Sequence, residues 1–490
     1  MKLTKNTFSA PGFRMCVSCV LILLSVTGCK KGLLDVGQQV GAVDAENAYT
    51  SNGTAQSILA GIFDVMGATG SFYHGQNSIS LLMGLSADEL VNYSSSVVYG
   101  QFFTNNLSGQ GNNSNYFWAT IYQQLYNCNA AIAGLTSSTA LTPAVKNQLL
   151  GEAKFARAYV YFYAINLYGD MAMPLTTDYL TNNTLARTPK AQIYQQIIQG
   201  LKDAQALLSD AKYLNGTGGA TTDRLRPNKQ AASAMLARVY LYTGDWANAE
   251  AQASSVISTS IYVLEPNLNQ VFVKSSRETI WALQPISTGY NNADAYMLVV
   301  TASPLASALT QLPLNQTLVN AFENGDSRFT NWVGKYNAAA TGTAPATTYY
   351  YAYKYKANTT FGSSAPVTEW PIELRLAEQY LIRAEARAQQ NNLDGAKSDL
   401  NVIRSRASLA AVTASTQTDV IAAVAHERQV ELFTEWGHRW FDLKRTGKID
   451  AVMGVETPKK GGTWAAYKAL VPIPASEILI DHNLTQNPGY

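Results

Sequence analysis

"LARVYLYTGDWANAE", residues 236–250, decides the architecture. Gly244 ends a run of helical periodicity, and glycine readily takes the left-handed conformation that closes a helix. Asp245 follows where a side-chain oxygen can cap the first turn of the next helix. Ala237 and Ala249 are small where two antiparallel helices must approach closely, with Tyr240 and Trp246 filling the space around them. The stretch reads as a helical hairpin, a unit that buries its apolar face only by stacking on neighbours.

The spacing Leu-Ala-x-x-Tyr-x-x-x-Gly-x-aromatic-x-x-Ala is that of the tetratricopeptide repeat. "FYAINLYGD" (162–170) echoes its ending, and "LIRAEARAQQNNLDGAKSDLNVIRSRA" (381–407) repeats the hairpin, with Asn391–Asn392 at the turn and Ala396 as the small contact. The echoes are unevenly spaced, which implies an insertion. The expected fold is all-α: tetratricopeptide-like hairpins in a right-handed array over about 118–260 and 370–450. Loop-rich, ligand-facing regions are expected over about 68–115 and 260–370, the second carrying a few short strands. One of these is "TTYYYAYKYK" (347–356), whose period of two sets Tyr351, Tyr353 and Tyr355 against a polar face of Ala352, Lys354 and Lys356.

The first 28 residues read as an export signal. Lys2, Lys5 and Arg14 precede the apolar run "MCVSCVLILLSV", which is shorter than the ~20 residues a membrane span needs. "VTGC" (26–29) has the spacing of a lipoprotein box, with Cys29 as the lipid-bearing residue; two or more acyl chains hold a protein stably on a bilayer. Of the four cysteines, Cys16 and Cys19 fall within the signal. Only Cys128 then remains as a thiol, reading as a small buried hydrophobe. Three of the 36 basic residues go with the signal, which leaves 33 against 34 acidic and no basic field for nucleic acid.

Several segments together resemble the SusD/RagB family of starch-utilisation-type outer-membrane lipoproteins: "GLLDV" after the lipobox; "FWATIYQQLYNCNAAI"; "GEAKFARAYVYFYAINLYGD"; "RPNKQAASAMLARVYLYTGDWANAE"; "HERQVELFTEWGHRWFDLKRTG"; and "LVPIPASEILIDHNLTQNPGY". They run from Cys29 to Tyr490, so the resemblance implies a single domain over 29–490. It also implies a non-catalytic surface protein that binds a nutrient, most simply an oligo- or polysaccharide, and passes it to a SusC-like TonB-dependent transporter. The alternative nutrient is a peptide or another non-sugar. Lys30 and Lys31 follow the anchor where acidic residues accompany surface export in such lipoproteins. Outer-membrane anchoring is expected, facing the cell exterior.

The densest chemistry is in residues 427–445. Glu427, Glu431 and Glu435 recur every fourth residue, with Arg428 beside them. Carboxylates in a line on one helix face repel unless guanidiniums interleave, and Arg439 and Arg445 are within reach beyond Gly437. With Trp440 packed inward and Asp442 paired to an arginine, the stretch reads as a structural clamp. A glycosidase needs two carboxylates facing across a cleft, which a line on one helix does not supply. His74, His426, His438 and His482 are too scattered to suggest a metal site, and no cofactor motif appears. Candidate ligand-binding residues are the aromatic and polar side chains of the two loop-rich regions: Tyr73, His74, Asp88, Glu89, Tyr93, Tyr99 and Phe103 in the first, and Tyr290, Tyr296, Trp332 and Tyr336 in the second. Asp88 and Glu89 lie in "SADE", whose commoner explanation is an exposed acidic loop. The tyrosine strand, Trp118 and Trp246 read as core.

Overall fold

Capping chemistry marks out the helices. In the computed structural model, Ser51 and Ser78 cap α1 (Asn52–Gly67) and α2 (Ile79–Ser86) through their hydroxyls. Then follow α3 (Trp118–Ser137), α4 (Pro143–Tyr168), which has proline in its first turn, and α5 (Lys190–Leu207). Asn228 caps α6 (Lys229–Thr243), which ends at Gly244 with φ 73°. Asp245 then accepts from the Asn248 amide at 3.3 Å to open α7 (Trp246–Ile257). After the insertion come α8 (Leu376–Gln389), α9 (Leu393–Arg406, capped by Asn392), α10 (Gln417–Glu431, capped by Thr416) and α11 (His438–Arg445). The structure describes residues 48–68, 72–111, 114–210, 213–215, 219–286, 291–307, 311–342, 344–358 and 366–490. The export signal, Cys29, Lys30, Lys31 and Tyr290 lie outside them.

Residues 49–490 form one unit in which each long helix packs on the next in sequence: α3 on α4, α4 on α5, α5 on α6, and α6 on α7. The stack crosses the insertion without a break, because α7 packs on α8, and α8 on α9 and α10. Helix α4 runs through its centre and is buried on every side over its last two-thirds. Ala237 and Ala249 are fully buried, as close helix approach requires, and Cys128 is a free buried thiol. Trp246 is half-buried at the edge of the core rather than within it.

The fold is mostly helical, not purely so. Three two-stranded antiparallel sheets are present among the described residues. The hairpin β1 (Tyr213–Leu214) with β2 (Ala220–Thr221) lies within the helical stretch rather than the insertion. Strand β3 (Thr279–Ala282) pairs with β6 (Ile372–Arg375), closing the insertion at its base. The third sheet is the hairpin β4 (Val333–Ala338) with β5 (Thr347–Ala352). The first loop-rich region is also more regular than its composition suggests, holding α2 and the short helix Val97–Phe103.

An ion network, buried except at Glu323, roots the insertion. Six carboxylates (Glu278, Glu323, Asp326, Glu427, Glu431 and Glu435) meet five cations (Arg328, Arg375, Arg404, Arg406 and Lys354). Arg328, just before β4, reaches Asp326 at 2.9 Å, Glu427 at 2.6 Å and Glu431 at 3.0 Å. Arg375, at the end of β6, reaches Glu278 at 3.0 Å and both Glu431 and Glu435 at 2.7 Å. Lys354, just after β5, donates to the Glu431 and Phe433 carbonyls at 2.8 Å each and pairs with Glu435. Both ends of the tyrosine hairpin are thus tied to the end of α10 and the turn after it.

This arrangement corrects the expected pairing of the clamp. Arg439 and Arg445 do not interleave with the three glutamates; the insertion and α9 supply those cations. Arg439 instead pairs with Asp88 at 2.7 Å, while Arg445 bridges Asp442 and Glu385. Arg428 also takes Asp442, at 2.7 Å, and Trp440 is buried. The polar face expected on the tyrosine strand fails at Lys354, which is buried beneath the Phe433 ring with its ammonium 3.9 Å from the centroid. The turn itself needs Gly437. Its φ is 66°, and a Cβ there would lie 2.8 Å from the Met83 side chain of α2.

Burial pushes the Glu431 carboxyl up, but Arg406, Arg375 and Arg328 overcome it and hold the group well below the usual 4.5. Glu435 is likewise lowered, burial being outweighed by Arg375 and Lys354. Burial drives His438 down from 6.5 to about 3. Groups whose folded pKa is depressed contribute stability that is present above the unfolded value and lost as pH falls through the folded one. For the two glutamates that loss begins near 4.5, and for His438 near 6.5. Glu89, raised to about 8 chiefly by burial, acts oppositely: its contribution is present below 4.5 and fades as pH rises to about 8. Thermal melts should therefore show Tm falling below about pH 5, steeply below about pH 4. An unchanged Tm across that range would contradict the assignment.

Candidate ligand-binding surface

Strand geometry turns the tyrosine run into a surface. Along β4 and β5 successive side chains alternate faces, so Tyr336, Tyr349 and Tyr351 share one face with Gly334. Tyr336 stands directly opposite Tyr349 in the register, and Gly334 opposite Tyr351. The Tyr351 ring lies across Gly334, where a Cβ would come within 2.2 Å of it. Tyr353 meets Tyr351 edge-on, with centroids 5.7 Å apart, and Lys356 approaches the Tyr353 ring at 4.9 Å. From the first loop-rich region, Tyr93 meets Tyr349 edge-on at 5.6 Å. Tyr349 is buried beneath this group. Tyr336, Tyr351 and Tyr353 are half-buried, and Tyr93 is exposed.

Backbone hydrogen bonds stitch the contributing loops into one layer. Val91 and Tyr93 donate to the Pro313 and Gln311 carbonyls at 2.8 and 3.0 Å, and Leu314 donates to Tyr350 of β5 at 2.7 Å. The layer is rooted below as well: the Thr434 amide donates to Glu89 at 3.2 Å, and Asp88 takes Arg439. Burial raises the Tyr93 and Tyr351 phenols above the usual 10.0, so both hydroxyls stay protonated at neutral pH and can donate as well as accept. The result is a set of fixed ring faces with neutral hydroxyls at their edges. Such a surface packs against C–H faces and bonds hydroxyl groups; it offers no group poised for proton transfer.

Of the residues expected at a ligand site, Tyr93 and Tyr336 stand on this surface. Others are corrected by their burial. Tyr73 packs on Phe72 with ring centroids 4.7 Å apart, and the Trp332 indole donates to the Leu268 carbonyl at 2.9 Å. His74 is enclosed by Glu373 at 3.3 Å and Asp294 at 3.9 Å; burial opposes its charge, but the two carboxylates raise it to about 9. Asp88 and Glu89 are buried rather than an exposed acidic loop, Asp88 paired with Arg439 and Glu89 accepting from the Thr434 amide. The Tyr99 hydroxyl is spent on the Gln76 carbonyl at 2.9 Å. Phe103 lies half-buried near the Lys460 ammonium, and Tyr296 is half-buried in the helix Ala293–Leu298. The period-two run at 347–356 is strand only as far as Ala352, with Tyr353 just beyond it, and the half-buried Tyr351 and Tyr353 correct the reading of this run as core, because the pattern alone does not say which face meets solvent.

One further grouping brings Glu323, His426 and Glu427 within 4.8 Å of one another. Arg404 bonds both carboxylates, and His426 Nε2 donates to the Ala321 carbonyl at 2.8 Å, so the carboxylate charge is already met by a guanidinium. No helix among the described residues is long and apolar enough to cross a membrane.

Comparison with known proteins agrees along the whole described unit. Residues 328–490 match the SusD family, and residues 54–241 match the family described as starch-binding and associating with the outer membrane. A SusD-like protein of Formosa agariphila is 23% identical over 526 residues, covering 97% of this chain and 99% of its own. A SusD superfamily structure from Bacteroides vulgatus superposes with a TM-score of 0.75 at 21% identity, covering 91% of this chain and 99% of that one. A laminarin-binding SusD-like protein gives 0.73 at 23% identity, covering 89% and 99%. With the two matched stretches spanning more than two-thirds of its length and the same fold throughout, this chain belongs to the SusD family of outer-membrane-associated, non-catalytic binding proteins.

Proposed function

We propose that this protein is a cell-surface lipoprotein that binds an oligo- or polysaccharide and hands it to a SusC-like TonB-dependent transporter. The observation that carries the reading is the tyrosine face of the β4–β5 hairpin with Tyr93, held rigid from below by buried ion pairs. Aromatic rings packed against sugar C–H faces need such rigidity, because a ring already fixed loses little entropy on binding. Relatives include a laminarin-binding protein and a surface glycan-binding protein of Bacteroides fluxus, which supports a glycan over a peptide. The stacked helices are read as tetratricopeptide-like hairpins that carry the insertion and face the transporter. Cys29 is read as the lipidated first residue of a single mature domain, displayed on the outer leaflet.

Isothermal titration of the mature chain against oligosaccharides that include laminarihexaose and maltohexaose should find binding to one linkage class. Tyr93→Ala and Tyr351→Ala should each weaken it by about tenfold, the equivalent of ~1.4 kcal/mol for a lost aromatic contact. Absence of saccharide binding, or affinity unchanged in both variants, would overturn the reading. Growth on radiolabelled palmitate should label the native protein, with Cys29→Ser unlabelled and released from the membrane fraction; labelling that persists in the variant would refute the anchor.

A further inference from the structure

A second aromatic cleft lies on elements that contribute nothing to the tyrosine hairpin. Its walls are the first half of α3, the segment 172–177 leading into the short helix Tyr179–Asn182, and the C-terminal helix Ala475–Ile480 with the residues after it. It encloses about 290 Å³, near the lower end of the volumes that hold small ligands. Trp118, Tyr122 and Tyr126 line it at four-residue steps on α3, each step advancing ~6 Å along one helix face.

The rings are held in place. Trp118 and Tyr122 lie 4.7 Å apart at 41°, and Trp118 is wedged edge-on against Tyr168 at 5.0 Å. The Tyr122 hydroxyl donates to the Ala172 carbonyl at 3.0 Å, which fixes the ring between its neighbours. At the mouth, Tyr126 and Tyr179 are 51% and 68% exposed, unusual for large aromatic side chains outside a contact surface. The polar lining is one-sided. Asn182, Asn183, Glu477 and Asp481 line the cleft, whereas no lysine or arginine does among the described residues.

The Tyr126 and Tyr179 rings at the mouth, over the buried Trp118 and beside amides and carboxylates that form no ion pair among the described residues, suit a ligand that presents C–H faces and many hydroxyl donors. The aliphatic rim at Leu180, Leu479 and Ile480 would also suit a protein, but carboxylates are depleted from the centres of protein interfaces. We propose that this cleft is a second carbohydrate subsite, separate from the tyrosine hairpin, which lets one molecule grip a long polysaccharide at two places. The inference rests on the glycan-binding reading. Two sites engaging one chain raise apparent affinity through effective concentration, so the signature is a preference for polymer over short oligosaccharide.

The test uses the mature chain, its Tyr126→Ala and Tyr179→Ala variants, and the hairpin variants Tyr93→Ala and Tyr351→Ala. Both cleft tyrosines are exposed, so the variants should melt as the parent does. Retardation in gels containing laminarin, or whichever polysaccharide the titrations select, should weaken by about tenfold or more in the cleft variants. Titration with the matching hexaose at the hairpin should change less than about twofold. A Tyr93→Ala/Tyr351→Ala double variant should keep a weak site that vanishes when Tyr126→Ala and Tyr179→Ala are added. Unchanged retardation in the cleft variants, with hairpin variants abolishing it, would overturn the subsite, leave the glycan reading intact and return this face to a protein partner. Absence of saccharide binding in the parent would overturn both readings together.

Discussion

Three glutamates at four-residue spacing, two on α10 and one in the turn after it, cannot all be buried and ionised unless cations reach between them. That requirement governs the organisation of this protein. Glu427, Glu431 and Glu435 are buried, and each charge is met by guanidinium or ammonium groups from elsewhere in the chain: Arg328 and Lys354 from the two ends of the β4–β5 hairpin, Arg375 from the end of β6, Arg404 and Arg406 from α9. Removing one partner of such a buried set leaves an uncompensated charge, at a cost of roughly 3–5 kcal/mol. The insertion is therefore held by bonds of fixed direction, not by apolar contact alone.

The same network explains why a protein with so many buried acids binds rather than catalyses. A general acid or base needs a free carboxyl with a pKa near the working pH and a path to substrate. Here Glu431 and Glu435 are held ionised by their partners and enclosed in the core. What reaches solvent is a rigid array of tyrosines rooted on them, with Tyr93 joined through backbone hydrogen bonds and Asp88 tied to Arg439. The helical stack supplies the platform, and the insertion supplies the tyrosine face that it carries.

Local signals carried the helices well. Gly244, Asp245 and Asn392 act within a few residues of where they stand, so their roles can be read directly from the sequence. The clamp was legible as a need for cations, since charge repulsion along α10 is also local. Which cations answer that need depends on contacts more than fifty residues apart, such as Glu431 with Arg375 and Arg328. The same limit hid the burial of several candidate residues. His74, Asp88 and Glu89 look like loop polar groups until Glu373, Arg439 and Thr434 arrive from distant parts of the chain to bury them. Conversely, Tyr351 belongs to a strand that the alternation revealed, with Tyr353 just past its end, but their exposure depends on what covers each face of the hairpin.

The most direct measurement is amide hydrogen exchange on Glu431→Gln, which removes the charge shared by Arg328, Arg375 and Arg406 while keeping the side chain's shape. The account predicts faster exchange across β4, β5 and the Val91–Tyr93 segment, with α4 and α6 protected as in the parent. Exchange that quickens only at the end of α10, or equally throughout the helical stack, would show that the insertion does not hang on this network.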